Sequence, residues 1–263
     1  MTYSRRTVLA GLGMAALAGC TGEGVSPSSS GNGGGSASEG LSAMVDGETI
    51  QIEVLADSVE SVSVIDPEGR LWTERPVSAG VTRVDVGLDE RYTPGEFRIV
   101  GASGGETVAE TRLEITPDLR IIEFDVGRNQ PERMPEAFKT SRDSQALVSI
   151  ENAGTGPDYI RKLLFDGDVP NPTTTVENGP DRLTGIYGDG GLLAIPTGSV
   201  VTLFSDTLPF LTTVSRTIDC GIALDGTARV RLVPAGGRSP VSREFQVSYR
   251  PVGENCEIAI EGN

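Results

Sequence analysis

The stretch Thr49-Ile50-Gln51-Ile52-Glu53-Val54 decides the fold, because apolar and polar residues alternate along it without interruption. In an extended chain successive side chains point to opposite faces, so Ile50, Ile52 and Val54 share one face. The polar residues between them share the other face. This alternation predicts a β-strand that is buried on one side and solvated on the other.

Similar short runs follow toward the C-terminus at intervals of about ten residues, a spacing typical of all-β domains. They are Val62–Ile65, Leu71–Thr73, Val81–Val86, Phe97–Val100 and Val108–Ile115. Asp66-Pro67-Glu68-Gly69 suits a type I turn, since proline takes its second position and glycine its fourth. With no segment of helical period, residues 47–117 are predicted to form a small antiparallel β-sandwich. The single tryptophan, Trp72, is expected to pack in its core rather than bind a ligand.

A late segment of this module carries a family resemblance. In Tyr92-Thr93-Pro94-Gly95-Glu96-Phe97-Arg98-Ile99, Pro-Gly precedes an aromatic and an apolar residue. This order resembles the entry to a late strand in immunoglobulin-like and fibronectin type III-like modules, and it implies two sheets packed face to face. Thr116-Pro117-Asp118 ends the module. Because that connection is short, the next module is expected to abut the first.

Residues 118–263 contain a second series of alternating runs and are predicted to form a larger β-sandwich. Val148–Gly154 has the pattern apolar-x-apolar-x-Asn-x-Gly, and Ile195–Leu203 has apolar-Pro-x-Gly-x-x-apolar. Both patterns resemble the CARDB-like adhesion-related sandwich domains. A long loop is expected at residues 166–191, and no internal repeat is visible in the sequence.

The N-terminal residues resemble an export signal. Ser4-Arg5-Arg6-Thr7-Val8-Leu9 is similar to the twin-arginine export motif, and Leu17-Ala18-Gly19-Cys20 is similar to the lipobox of bacterial and archaeal lipoproteins. The uncharged stretch Val8–Gly19 is too short for a helix that spans a bilayer. The resemblance implies that residues 1–19 are a cleaved signal peptide and that Cys20 carries lipid. An uncleaved N-terminal anchor is the alternative.

Residues 20–46 are predicted to be a flexible linker that connects the lipid on Cys20 to the first folded module. Its first part, Thr21–Gly40, consists mainly of Gly, Ser, Asn and Pro, which cannot bury enough apolar surface to become ordered. The predicted fold class is therefore all-β, with two immunoglobulin-like β-sandwich domains after a signal peptide and a flexible linker. The mature protein is expected on the outer face of the cell membrane.

The chain is strongly acidic, with 37 Asp and Glu against 22 Lys and Arg and a formal net charge of −15. Its only lysines are Lys139 and Lys162. Together with the leader, this composition resembles exported proteins of halophilic archaea, whose charges are screened by salt; an ordinary acidic secreted domain is the alternative. The absence of a basic run argues against nucleic acid. The expected partners are the membrane, through lipid on Cys20, and other envelope proteins or glycans.

Two cysteines remain once Cys20 is assigned to lipid. An even pair in an exported domain predicts a structural disulfide between Cys220 and Cys256. The chain has no histidine. Two thiols alone cannot complete a four-ligand zinc site.

The lack of histidine also removes Ser-His-Asp and Cys-His nucleophile activation and the usual catalytic zinc sets. The loop at 166–191 places carboxylates among Gly and Pro, a composition that suits calcium, although the spacing does not match an EF-hand. Solvated turn residues are the favoured interpretation of these carboxylates, and a calcium site is the alternative. No other cofactor is expected. The candidate calcium ligands are Asp166, Asp168, Asp181 and Asp189.

These features favour a membrane-anchored extracellular lipoprotein with a non-catalytic role in binding, adhesion or envelope structure. The alternative from another class is an envelope-associated enzyme that depends on carboxylates, since paired acids suffice for glycoside hydrolysis. An accessory subunit of a surface complex is the remaining alternative.

Overall fold

In the computed structural model, residues 40–173, 184–188, 192–212, 223–252 and 255–262 are described. The first seven strands are β1 Leu41–Asp46, β2 Thr49–Val54, β3 Ser61–Ile65, β4 Leu71–Pro76, β5 Arg83–Gly87, β6 Gly95–Ser103 and β7 Glu106–Ile115. The next eight are β8 Leu119–Val126, β9 Ala146–Asn152, β10 Asp158–Gly167, β11 Leu193–Ile195, β12 Val200–Phe204, β13 Leu224–Pro234, β14 Val241–Val252 and β15 Asn255–Gly262. Two short 3₁₀ helices, Glu136–Phe138 and Arg142–Ser144, lie before β9. Within these ranges no helix is long and apolar enough to cross a bilayer.

The first module is a sandwich of two antiparallel sheets, β1-β2-β5 and β4-β3-β6-β7. In the usual strand lettering, β1, β2 and β5 correspond to strands A, B and E, and β4, β3, β6 and β7 correspond to C′, C, F and G. This is an arrangement of immunoglobulin-like folds. The stretch Thr49–Val54 is β2, and Ile50, Ile52 and Val54 are buried in the core. The predicted all-β sandwich class is confirmed. The largest fully buried side chains beside them are Leu41, Phe97, Ile99, Leu113 and Ile115.

Strand β1 corrects the predicted boundary of the linker, which was placed at residues 20–46. Leu41–Asp46 pairs with β2 from Leu41 opposite Val54 to Asp46 opposite Thr49. Leu41, Ala43 and Val45 alternate and are buried. The same half-buried pattern is present in the sequence, but the small Ala43 weakens it. The sandwich therefore begins at β1, before residue 47.

The second module repeats the topology of the first and adds one strand. Its sheets are β8-β9-β12 and β11-β10-β13-β14-β15. Phe124 lies at the centre of its core, with ring centroids 5.7 Å from Phe165 and Phe210 and 5.3 Å from Phe245. The added strand β15 pairs with β14 and carries the buried Cys256. Cys220 lies outside the described residues, so the disulfide stays a prediction.

The segment 127–145 covers the outer face of β8-β9-β12. Met134 and Phe138 form a small apolar cluster there with Leu147 of β9 and Phe204 of β12. Residues 146–150 are consequently buried on both sides of the sheet.

A bidentate ion pair ties this covering segment to the sheet. Arg133 donates to both carboxylate oxygens of Glu123, at 2.6 and 2.8 Å, and the Ser149 hydroxyl donates to the same carboxylate at 2.6 Å. These bonds favour the ionised form of Glu123. They lower its pKa from 4.5 to about 2.

Two segments of the second module, Val148–Gly154 and Ile195–Leu203, meet at the start of that module. Asn152 is fully buried, and its side-chain oxygen accepts hydrogen bonds from the amides of Asp118 and Gly154, each at 3.1 Å. Its amide nitrogen donates to the carbonyl oxygens of Gly156, at 2.9 Å, and Ile195, at 3.0 Å. One asparagine therefore joins the two patterns and fixes the turn that leaves β9.

A pair of tyrosines joins the two modules. Tyr159 of β10 is buried in the core of the first module, and its hydroxyl donates to the Leu88 carbonyl at 2.5 Å. In the opposite direction, the hydroxyl of Tyr92 donates to the Pro157 carbonyl at 2.5 Å. Burial raises the pKa of both phenols, which keeps them in the donor form. The modules abut through these contacts.

A buried ion pair and close backbone packing complete this joint. Arg238 pairs with Asp158, and its guanidinium carbon lies 5.4 Å from the centre of the Tyr92 ring. Their side chains are only 15% and 5% exposed. A Cβ at Gly156 would lie 2.5 Å from the Ile115 side chain, so only glycine fits there. The modules are thus held by packing as well as by hydrogen bonds.

Tyr159→Phe removes the hydroxyl from the joint but keeps the ring. We expect the free energy of unfolding to fall by about 1–2 kcal/mol, because the Leu88 carbonyl loses a buried donor. Denaturant titration followed by the fluorescence of Trp72 measures this change. Tyr187→Phe is the matched control, since Tyr187 is 48% exposed. Equal losses in the two variants would contradict a specific role for the joint.

Glu123→Gln tests the ion pair with Arg133. Because the folded pKa lies below that of the unfolded chain, Glu123 stabilises the fold fully above about pH 4.5 and loses this effect as the pH falls toward 2. Both side chains are about a third exposed, so the loss at neutral pH should be about 1 kcal/mol. Unfolding free energies measured across this pH window should vary less in the variant.

Glu110→Gln serves as the control for this pH series. The Glu110 carboxylate lies on the surface, 3.8 Å from Arg98. Its replacement should lower the free energy of unfolding at neutral pH by less than Glu123→Gln does, because its contact with arginine is longer. An unchanged pH slope in Glu123→Gln would refute the assignment.

Candidate ligand-binding groove

The structure assigns structural partners to the two described carboxylates of the predicted calcium site. Asp166 is part of β10 and lies 3.7 Å from Arg229 of β13. Asp168 accepts a hydrogen bond from the Thr227 amide at 2.9 Å, and a Cβ at Gly226 would lie 2.5 Å from its Oδ2. Both carboxylates thus hold the end of the β10–β13 pairing, and the predicted loop begins only after Gly167.

The other predicted sites lie outside the described residues. They are Arg5, Arg6, Cys20, Asp181, Asp189 and Cys220. In the part of the chain that the structure describes, no group of three Asp, Glu or Cys side chains lies close enough to hold a metal ion. The calcium site therefore stays a prediction for its two undescribed members.

A groove of about 540 Å³ lies in the first module between β4 and β5. These strands are the edges of the two opposing sheets, so each presents backbone groups that no neighbouring strand pairs. The apolar part of the lining comes from Trp72 and Val86. The polar part comes from three arginines, Thr73, Gly87 and Asp89.

Trp72 lies in this groove because of a β-bulge. Val64 of β3 pairs with Thr73 and Ile65 pairs with Leu71, which leaves Trp72 without a partner in the ladder. A bulge of this kind redirects the extra side chain. The indole nitrogen donates to the Gly87 carbonyl at 3.3 Å and so links the two sheets. Trp72 packs against the core, as the sequence predicted, but it is only partly buried and also lines the groove.

Three arginines converge on the groove from separate segments. Arg70 follows the predicted turn, whose hydrogen bond from the Gly69 amide to the Asp66 carbonyl is present at 2.9 Å. Asp66 also receives bonds from the Arg70 amide, at 2.8 Å, and from Arg70 Nε, at 2.9 Å. Burial alone would raise the pKa of Asp66, but these bonds lower it. Asp66 thereby fixes the turn and the direction of Arg70.

The second and third arginines differ in their surroundings. Arg91 donates to the carboxylate of Asp89, with Nε at 3.1 Å, and these contacts lower the pKa of Asp89. Arg75 of β4 is exposed, and no carboxylate among the described residues lies within ion-pair distance of it. Arg70 also pairs with Glu68, so carboxylates compensate both Arg70 and Arg91, and Arg75 is the uncompensated arginine of the groove. The guanidinium of Arg75 remains available to a ligand.

No local sequence pattern predicts this groove. Arg70, Arg75 and Arg91 are dispersed in the sequence among acidic residues, so no basic run marks them. The only usable signal was an arginine on either side of the single tryptophan, Trp72.

No protein-family model and no curated protein matches this chain. Similar solved structures include a beta-glucuronidase from glycoside hydrolase family 2, with a TM-score of 0.24 and 13% identity over 82% of this chain and 20% of that chain. A glycosyl hydrolase family 2 member from Bacteroides cellulosilyticus has a TM-score of 0.22 and 11% identity over 74% and 24%. A beta-glycosidase from Bacteroides vulgatus has a TM-score of 0.21 and 14% identity over 80% and 23%. The chain covers less than a quarter of each, and such TM-scores indicate neither a shared fold nor a shared function.

Asp168→Ala tests whether this carboxylate is structural. We expect a loss of about 1 kcal/mol in the free energy of unfolding, because the Thr227 amide loses its charged acceptor. The loss should be the same with and without millimolar calcium. Asp57→Ala, at an exposed aspartate, is the control. A calcium-dependent stability that disappears in Asp168→Ala would contradict the structural role.

Proposed function

We propose that this chain is a lipid-anchored protein on the outer face of the cell membrane that acts by binding, without catalysis, and that it binds through the groove between β4 and β5. The twin-arginine motif at Arg5 and Arg6 and the lipobox ending at Cys20 support export and anchoring. They lie outside the described residues, so this half of the proposal rests on the sequence.

The groove is the observation that carries the binding role. It combines an aromatic face at Trp72 with a guanidinium at Arg75 that no described carboxylate neutralises. Its volume, about 540 Å³, lies within the range of small-ligand sites. Exposed arginine and tryptophan are the residue types that contribute most to recognition.

The buried carboxylates support a non-catalytic role. Asp66 and Asp158 are the two buried acids among the described residues. Asp66 accepts bonds from the turn that holds Arg70, and Asp158 pairs with Arg238 and accepts the Tyr159 amide at 2.7 Å. Burial raises the pKa of Asp158, and the Arg238 guanidinium opposes this effect. Both acids are engaged in structure rather than directed into the groove.

The contacts between the two modules hold the groove-bearing first module in a fixed position. Tyr92 and Tyr159 each donate into the neighbouring module, and Arg238 packs over Tyr92. The first module, which follows the linker directly, is therefore stiffened by the second. A binding site on a rigid scaffold loses less conformational entropy when it captures a ligand.

We further propose the disulfide between Cys220 and Cys256. Cys256 is 7% exposed and belongs to β15, which lies at the edge of the five-stranded sheet. A covalent bond there would secure the added strand to the rest of the core. Digestion of the mature protein without reductant should recover both cysteines in one linked peptide pair, and separately alkylated peptides would exclude the bond.

Cys20→Ala tests the anchor. We expect the parent protein to partition into detergent and the variant to remain in the aqueous phase, because the lipid has lost its attachment point. Intact-mass measurement should show lipid on an N-terminal Cys20 in the parent only. Replacement of Arg5 and Arg6 by lysine should leave the precursor inside the cell.

Arg120→Lys is the matched control for the leader variants, since Arg120 is an exposed arginine of β8. It should be exported and anchored like the parent. Mature parent protein that keeps Met1, or a Cys20→Ala variant that still partitions into detergent, would refute the anchored role.

A further inference from the structure

We propose that the groove between β4 and β5 binds an acidic saccharide, with a sugar ring against Trp72 and the sugar's carboxylate on Arg75. This inference rests on the proposed binding function and names the ligand class for the same site. Arginine presents a planar fork of donors that matches a carboxylate with two parallel hydrogen bonds. Arg75 of β4 has the exposure that such a contact needs.

The composition of the groove suits a sugar. A pyranose ring has an apolar C–H face and a rim of hydroxyl groups. Trp72 supplies a small apolar surface, while Thr73 and Asp89 supply polar groups beside it. The partly buried indole keeps a fixed orientation because its nitrogen donates to the Gly87 carbonyl. An aromatic ring held in this way offers contact area at little cost in entropy.

The charge of Arg75 favours an acidic ligand over a neutral one. Arg70 is paired with Asp66 and Glu68, and Arg91 is paired with Asp89, so carboxylates already compensate these two arginines. Arg75 adds a third charge that is not compensated by a described carboxylate. An anionic group that enters the groove can therefore reach the guanidinium of Arg75 without first displacing an ion pair.

An extended acidic peptide fits this site less well. A peptide that recognises a sheet edge adds to it as a further strand and needs an unbroken row of backbone groups. The edge strand β4 is interrupted by the bulge at Trp72 and ends at Pro76, which has no amide hydrogen. Bulges and edge prolines are features that prevent strand addition. A compact ligand in the groove avoids both obstacles.

The test is titration of the purified full chain in detergent with a trisaccharide of galacturonic acid. Trp72 is the only tryptophan, so its fluorescence reports on the groove directly, and calorimetry gives the affinity. Binding should weaken as salt is added, because the carboxylate contact is exposed to screening. The neutral galactose trisaccharide should bind at least about tenfold more weakly, since it lacks the charge-assisted hydrogen bonds.

Variants locate the site. Arg75→Gln should weaken binding of the acidic trisaccharide by about tenfold or more, and Arg75→Lys should recover only part of the loss because lysine has no planar fork. Trp72→Ala should weaken binding similarly, and Trp72→Phe should weaken it less. Arg112→Gln, on the opposite edge strand β7 of the same sheet, is the matched control and should bind like the parent. Unfolding curves should show that every variant is folded.

Several results would overturn the proposal. They are absence of binding at millimolar trisaccharide, equal affinity for the neutral trisaccharide, equal affinity for inorganic sulfate, tighter binding of a hexaglutamate peptide, and full affinity in Arg75→Gln. None of these measurements depends on export or on lipid. If Cys20 carries lipid and the trisaccharide does not bind, the ligand class is wrong while the anchored role stands. If the trisaccharide binds but Cys20 lacks lipid, the anchored role alone fails.

Discussion

Tyr159 belongs to the second module by sequence but is buried in the core of the first, where its hydroxyl donates to the Leu88 carbonyl. Tyr92 makes the opposite connection, to the Pro157 carbonyl. Both rings lie in the core of the first module, and each hydroxyl donates to a carbonyl of the neighbouring module, so the second module completes the core of the first. Because an unpaired buried carbonyl is costly, the two sandwiches are energetically coupled through this joint.

The groove arises where the same architecture leaves an edge open. A sandwich of two sheets has edge strands, and in the first module β4 and β5 lie on the same open side. The bulge at Trp72 closes part of the gap with an indole and blocks strand addition. Among the arginines around it, Arg75 supplies a positive charge that no described carboxylate compensates. The open sheet edge, where a sandwich is exposed to strand addition, therefore also carries the residue types of a ligand site.

Much of the fold could be predicted because each strand has a local pattern. The alternation of Thr49–Val54 specified β2 and its buried face, and Asp66-Pro67-Glu68-Gly69 specified a turn. Errors occurred where local patterns are weak. Ala43 obscured β1, and Asp166 was assigned to a loop although it pairs within β10. The shared topology of the two modules was also invisible, because strand order depends on long-range pairing rather than on similar residues.

Local sequence alone determined that the chain is all-β, that it divides near Thr116-Pro117-Asp118, and that it is acidic and lacks histidine. These properties depend on neighbouring residues or on composition. The tertiary structure decided which polar side chains form hydrogen bonds or ion pairs within the fold and which remain free to contact a ligand. Asp168 holds the Thr227 amide, whereas Arg75 has no described carboxylate beside it. That distinction depends on distances between residues far apart in the sequence, which only the folded chain establishes.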